Sequence, residues 1–313
     1  MSADSKILKE LEARKDFSYQ ENEQREATMR ILVGIDWSDE AFAAVEQVGL
    51  LYQPNEVIFV HGVDLGMLNS PLVAGAVNLQ GYDEYRQALT ESGRQAGERC
   101  RTLLPAEIPS IRTLCDIQHP ATFILDSAAE VKPDLIAMGT HDRSRMMELF
   151  AGSVSHRIVL HATVPTLIVK GKARPITRVL MAVEGREDAT RLQTWMTSHP
   201  FKNPVAVTIL SVLAPLHDIS EQLMIGLGDW PEQSKRDVEQ VVQDTALALA
   251  SPQFAVSTEV RPGDPVTAIC EAGKSHDLIV VSSHGRKGFN RFMLGSVSDG
   301  IVHRANCSVL LVR

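Results

Sequence analysis

The segment Arg30-Ile-Leu-Val-Gly-Ile-Asp36 recurs later in the chain as Arg178-Val-Leu-Met-Ala-Val-Glu184. A second pair repeats in the same order, because Val164-Pro-Thr-Leu-Ile-Val-Lys170 corresponds to Cys307-Ser-Val-Leu-Leu-Val-Arg313. Internal similarity of this kind indicates a structural unit that occurs twice. The sequence therefore predicts an N-terminal tail at 1–28, a first domain at 29–170, a polar linker at 171–177 and a second domain at 178–313.

Within each half, apolar runs typical of strands alternate with segments of helical periodicity. The run Leu278-Ile-Val-Val281 is apolar throughout, which suits a strand covered by helices on both faces, as in a parallel sheet. The predicted fold class is α/β, with two tandem domains that are each a five-stranded parallel sheet with helices on both faces. Strands are expected at 30–35, 56–61, 111–115, 134–138 and 165–169, and at 178–183, 205–212, 255–260, 277–281 and 308–312.

The composition is that of a soluble protein, with 44% hydrophobic and 22% charged residues in 313. A formal net charge of -8 argues against a general nucleic-acid or anionic-membrane binder, although a local basic loop could still hold a phosphate. The four cysteines show no C-x-x-C spacing, which favours reduced thiols and the cytoplasm. No apolar run approaches the roughly 20 residues needed to cross a bilayer. We expect a cytoplasmic protein without nucleic-acid or membrane partners.

The loop from Ser282 to Ser296 lies between the apolar run and a helical pattern that begins at Val297. Backbone N–H groups at a helix N-terminus are unpaired and carry partial positive charge, and glycine lets an anion approach them closely. The loop contains two arginines and a lysine but no acidic residue. A related loop runs from Gly139 to Ser153, so the sequence predicts two candidate phosphate sites of unequal quality.

Both loops approach the pattern G-x2-G-x9-G-[ST]. Together with Asp36 at a strand end, the Gly263-Asp-Pro265 turn and the doubled layout, they make residues 29 to 313 resemble the universal stress protein family, in its tandem form. The resemblance implies Rossmann-like domains of the adenine-nucleotide alpha hydrolase-like type. It also implies ATP lying across the strand ends, with its phosphates in the glycine loop and a Mg²⁺ ion bridging them, and a stress-response regulator rather than a fast enzyme.

Carried over by position, the resemblance implies one better and one weaker nucleotide site. The second half would contact the nucleotide through Ala182, Val183, Glu184, Val212, Val281, Ser282, Gly285, Arg286, Gly295, Ser296 and Val297. The weaker first-half site would use Asp36, Gly139, Gly152 and Ser153. No catalytic residue is predicted in either half.

The two copies depart from the family pattern in different ways. In the first half Asp142 stands where the second glycine belongs, and a carboxylate about 4 Å from a phosphate costs on the order of 4 kcal/mol at an effective dielectric near 20. In the second half Ser282 replaces the first glycine, a neutral change, and Glu184 keeps the charge of Asp36 on a longer side chain. The second half is therefore the predicted ATP site.

Four histidines are further candidate functional residues. His141 and His284 occupy equivalent loop positions, but no neighbouring acid and nucleophile complete a catalytic relay. His156 and His161 are five residues apart and so do not share a helix face, and no carboxylate completes a metal site. The sequence predicts no bound metal beyond the Mg²⁺ that the nucleotide would carry.

The last strand of each half is short, apolar and placed at a chain or domain end, so it is expected to seek a partner strand. The resemblance implies that the two halves pair through these strands, and two chains could associate further as a homo-oligomer. Three functions remain open from the residues: an adenine-nucleotide-binding regulator, a nucleotide-free scaffold that binds a partner protein, and a slow ATPase.

Overall fold

The computed structural model describes residues 29–64, 79–140, 154–214, 230–283 and 294–313. The strands are β1 (Arg30–Gly34), β2 (Glu56–Gly62), β3 (Ser110–Asp116), β4 (Leu135–Thr140), β5 (Thr166–Lys170), β6 (Arg178–Ala182), β7 (Val205–Leu213), β8 (Phe254–Pro262), β9 (Leu278–Ser282) and β10 (Ser308–Val312). The helices are α1 (Asp39–Leu51), α2 (Leu79–Arg101), α3 (Pro120–Val131), α4 (Val154–His161), α5 (Arg186–Ser198), α6 (Trp230–Leu249), α7 (Pro265–Gly273) and α8 (Ser296–Arg304). This alternation confirms the predicted α/β class.

The strands form one sheet in the order β3-β2-β1-β4-β5-β10-β9-β6-β7-β8. Each half contributes five strands that run parallel to one another, as predicted. Among the described strands, only β5 and β10 pair in the antiparallel sense, with Val309 opposite Ile168 and Leu310 opposite Leu167. The two sheets are therefore continuous across the middle of the molecule.

Helices cover both faces of this sheet because successive strand residues point to opposite sides. Along β1, Ile31 and Val33 belong to one apolar cluster and Leu32 to the other. The first cluster includes residues of α1, α2, α5 and α6 and joins both halves. The second includes residues of α3, α4, α7 and α8. No described helix is both long and apolar enough to span a membrane.

Local sequence signals place the helix starts that shape the site. Ser38 precedes α1 and its Oγ accepts a hydrogen bond from the N–H of Ala41 at 3.2 Å. Asp264 precedes α7, and its Oδ1 accepts from the N–H of Thr267 at 2.9 Å, with a proline at the first helical position. These caps fix where each chain segment turns from a strand end into the helix that follows.

The last residues of β5 and β10 reach across the middle of the sheet to the opposite half. Lys170 Nζ donates to the carbonyls of Val302 and Ala305 at the end of α8, at 2.5 and 2.8 Å. Arg313 Nη2 in turn donates to the carbonyl of Val159 near the end of α4. Each half thus caps the last helix of the other with a cation, where the helix dipole is negative.

Candidate functional site

The carboxyl ends of β6, β7 and β9 meet at one edge of the second half. β6 lies between the other two strands, because Ala182 pairs with Leu210 of β7 and Met181 with Val280 of β9. The chain passes from β6 to β7 on one side and returns through β9 on the other. Ligands of open α/β sheets bind at such a reversal of strand order.

This edge collects the site residues that the sequence places on strands. Ala182, Val183, Val281 and Ser282 are buried, Val212 is half-buried and Glu184 is exposed to solvent. The N–H of Val183 donates to the carbonyl of Leu210 at 2.9 Å, which continues the strand pairing to the last residue before Glu184. The strand ends therefore form a buried, mainly apolar surface, called the floor below, with the exposed carboxylate of Glu184 beside it.

The start of α8 lies against the same edge. Gly295 is the N-cap of α8, and its N–H donates to the carbonyl of Ser283 at 2.9 Å, directly after β9. Ser296 is the first helical residue and Val297, which is 37% exposed, the second. Glycine has no side chain to accept from the first-turn N–H groups, unlike Ser38 and Asp264, so the N-cap leaves these groups uncapped as far as the described residues go.

The remaining predicted loop residues fall outside the described residues. These are Gly285 and Arg286 of the second half, and Gly152 and Ser153 of the first, with Asp142. The described residues therefore fix both ends of each glycine loop, at the strand before it and the helix after it.

Ser282 belongs to a polar cluster that sequence reasoning missed. Arg191 Nη1 donates to Ser282 Oγ at 2.8 Å, and Arg191 Nη2 donates to Glu187 at 3.1 Å. Asp188 lies in the first turn of α5, where its Oδ2 accepts from the N–H of Glu184 at 3.0 Å. A cation and a carboxylate therefore lie beside the end of β9, where the predicted phosphate loop begins.

Burial of Asp188 gives this carboxylate an unusual titration. Burial raises the pKa of Asp188, and the N–H of Glu184, the hydroxyl of Ser282 and the charge of Arg191 only partly oppose the rise. Its Oδ1 is buried and accepts no hydrogen bond in the described part of the chain. The carboxylate is therefore held inside the edge by the N–H of Glu184 rather than presented to solvent.

A comparison of α1 with α5 gives the signal that would have revealed this cluster. Counted from the N-cap residues Ser38 and Gly185, Asp188 stands at the position of Ala41 and Arg191 at that of Ala44. The repeat of Arg30–Asp36 as Arg178–Glu184 gives a numbering offset that differs by one residue from the offset between the two N-caps, so it does not bring these positions together. Aligning the N-caps of the two helices shows that Asp188 and Arg191 of α5 replace two alanines of α1.

The equivalent edge of the first half is packed differently. A Cβ atom at Gly139, the counterpart of Ser282, would lie 2.1 Å from the carbonyl oxygen of Glu40 in α1. The backbone of α1 therefore occupies the space that the Ser282 side chain has in the second half. Only glycine fits at this position of β4.

Two further contacts involve strand-end groups of the first half. His61, at the position of Ser211, is buried at the end of β2 with Nδ1 3.0 Å from the carbonyl of Ile35. Asp36 Oδ1 accepts from the N–H of Ser38 at 2.8 Å and also from the Ser38 hydroxyl. In the first half a ring thus fills space that a smaller serine leaves in the second, and the strand-end carboxylate has an internal partner.

Both halves of the chain are similar to known proteins. The profile of the universal stress protein family matches twice, at residues 28–170 and 175–313. A universal stress protein of Mycolicibacterium smegmatis is 25% identical over 298 residues, covering 90% of this chain and 96% of that protein. One from Mycobacterium bovis is 24% identical over 307 residues, covering 90% and 96%.

A solved structure agrees with the fold. The crystal structure of a universal stress protein from Archaeoglobus fulgidus superposes with a TM-score of 0.54 at 17% identity. It covers 91% of this chain and 96% of that chain. The similarity therefore extends over both halves.

Proposed function

Because this chain belongs to the universal stress protein family, we propose that it binds an adenine nucleotide, ATP, mainly in its second half. Its role would be that of a regulator in a stress response rather than of a fast enzyme. At the described part of the second-half edge, Asp188 accepts from the N–H of Glu184 and Arg191 donates to Ser282, and both would position the site rather than carry chemistry.

The observation that carries this proposal is the start of α8. Gly295 is held against β9 by its bond to Ser283, so the N–H groups of Ser296 and Val297, which Gly295 does not cap, lie at the edge where β6 and β9 end. Phosphates would bind there, with Gly285 and Arg286 of the loop completing the contact. A Mg²⁺ ion would accompany the phosphates, which supply most of its oxygen ligands.

The strand ends would receive the nucleoside. Ala182, Val183 and Val212 offer an apolar surface for the base, and the exposed carboxylate of Glu184 can accept from ribose hydroxyls. Val281 and Ser282 close the floor, and Ser282 keeps Arg191 within reach of an anion. These roles rest on placement at one edge of the sheet.

The first half would be the weaker nucleotide site. Its candidate residues, equivalent to those of the second half, are Asp36, Gly139, Gly152 and Ser153. The bonds between Asp36 and Ser38, and the ring of His61 beside Ile35, oppose nucleotide entry there. The pairing of β5 with β10 would hold both sites in one molecule, as an internal dimer. We place the protein in the cytoplasm, where its four cysteines would stay reduced.

Denaturing the purified protein and identifying the nucleotide released by mass tests the proposal, together with calorimetric titration of the nucleotide-free chain with ATP. We expect co-purified adenine nucleotide, or saturable ATP binding near one equivalent. Neither nucleotide nor heat of binding would support a scaffold instead. Turnover of ATP well above that of a Gly295→Asp variant would support an ATPase.

A further inference from the structure

Helices α4 and α8 bring three metal-ligating side chains together where the two halves meet. His156 lies on α4, and Asp299 and His303 lie one turn apart on α8. His303 Nε2 is 3.2 Å from Asp299 Oδ1, and the ring centroids of His156 and His303 are 5.3 Å apart. One ligand atom from each of the three residues lies within 4.8 Å of the other two.

We propose that His156, Asp299 and His303 form a binding site for a divalent transition-metal ion, Zn²⁺ in the first instance, that joins the two halves of the chain. Two imidazoles and one carboxylate are ligands that Zn²⁺ accepts, with water at a fourth position. Oxygen-preferring Mg²⁺ and Ca²⁺ would bind such a set poorly.

The spacing is close to what the ion requires. Zinc bonds of about 2.0 to 2.1 Å in a tetrahedron place ligand atoms roughly 3.3 Å from one another. The pair on α8 already has this separation, so the metal would take the place of the proton shared by Nε2 and the carboxylate. The His156 ligand atom lies within 4.8 Å of the other two, so at most about 1.5 Å of approach would complete the tetrahedral spacing.

The surroundings favour coordination over a simple helix ion pair. The side chains of Asp299 and His303 are 41% and 28% exposed, so the ion could enter from solvent. The ring of His156 lies beside that of His303, so the ligands on α4 and α8 face the same space. A simple ion pair would need only Asp299 and His303 of α8. The presence of His156 of α4 beside them is what a metal site would require in addition.

The sequence alone predicted no metal site because the three ligands come from two helices, α4 and α8, that are far apart in the chain. Val159 and Val302 are capped by the equivalent cations Arg313 and Lys170, and on this alignment His156 corresponds to Asp299. The two halves therefore present an imidazole and a carboxylate to each other, where identical copies would present two like groups. His161, by contrast, is exposed and one turn further along α4.

The test is calorimetric titration of the full-length, nucleotide-free protein with Zn²⁺, comparing wild type with His156→Gln, Asp299→Asn and His303→Gln. His161→Gln is the matched control, a histidine on the same helix outside the cluster. We expect one site per chain in wild type and control, and affinity lower by at least about tenfold in each cluster variant. Because nucleotide is absent, the outcome is independent of ATP binding.

A second readout separates coordination from a structural effect of the substitutions. Zn²⁺ should raise the midpoint of thermal unfolding of wild type and His161→Gln, since it binds only the folded chain, and leave the cluster variants unchanged. Variants that unfold at the wild-type temperature without Zn²⁺ confirm that the fold is intact. A wild type that binds no Zn²⁺, or cluster variants that bind as tightly as wild type, would overturn the proposal.

Discussion

Gly139 and Ser282 occupy the same position in the two halves, yet they meet different neighbours. Gly139 contacts the backbone of α1 so closely that a side chain has no room. Ser282 instead directs its hydroxyl to Arg191. One residue therefore decides whether a helix backbone or a polar cluster lies at the end of the strand, and the polar arrangement belongs to the half with the proposed nucleotide site.

Replacing Gly139 by alanine should destabilise the protein by about 1–3 kcal/mol, because the backbone of Glu40 cannot yield to the new Cβ as a side chain could. Urea unfolding measures the loss. Gly34→Ala is the control, since its new Cβ would meet chiefly the flexible Met138 side chain and the second half has Ala182 at this position. Equal losses in the two variants would contradict the assignment of the clash.

Asp188→Asn should stabilise the protein at neutral pH. The raised pKa means that the folded chain holds the proton more tightly than the unfolded chain, so the cost of the charge grows as the pH rises above about 3.9 and through the raised value. The gain of the variant should therefore disappear in acid, below the unfolded pKa. Urea unfolding at several pH values checks this, and a gain that does not change with pH would argue against buried charge as its cause.

The helices that end each half depend on cations from the opposite half. Lys170 and Arg313 cap α8 and α4 respectively, which couples the last strand of one half to the last helix of the other. The same two helices carry the proposed metal site. The cation caps and the proposed metal site thus lie on one face of the central strands, while the first apolar cluster joins the halves on the other face.

Lys170→Met should lower the free energy of unfolding by about 1–2 kcal/mol, because two carbonyls at the end of α8 lose a partly buried cation. Lys172→Met, which removes an exposed lysine in the linker, serves as the control and should change stability little. Thermal and urea unfolding compare the two. A Lys170→Met protein as stable as the control would show that the cap contributes nothing.

The described strands of the two halves form one sheet, in which the two central strands, β5 and β10, run antiparallel. Val309, Leu310 and Leu311 of β10 are fully buried between β5 and β9, and the apolar cluster of one face continues across both halves. A strand of this kind would be an uncovered edge if the halves were separated.

A fragment of residues 175–313 should therefore dimerise in solution through β10. Molar mass measured by light scattering during gel filtration should be near twice that of the fragment. A Leu311→Lys version places a charge in the pairing strand and should shift the fragment toward monomer. A monomeric unmodified fragment at high concentration would contradict the importance of this edge.

Sequence patterns predicted the parts of the fold that depend on local order. The apolar runs at Arg30–Gly34 and Leu278–Ser282 form strands as expected, because burial on both faces selects such runs. The clash at Gly139 depends on the path of α1 over β4, and the meeting of His156 with Asp299 depends on the packing of two distant helices. Neither is encoded in neighbouring residues, so the structure was needed to find them.

The most direct test of the proposed nucleotide site compares ATP binding to Gly295→Asp with that to Gly152→Asp, the equivalent change in the first half. Aspartate is a favourable N-cap and the backbone of Gly295, at φ -69°, accepts it, so the helix should keep its stability while the carboxylate repels phosphate. In calorimetric titrations we expect Gly295→Asp to abolish ATP binding and Gly152→Asp to leave most of it. Unchanged binding in Gly295→Asp, with loss in Gly152→Asp, would contradict the assignment of the site to the second half.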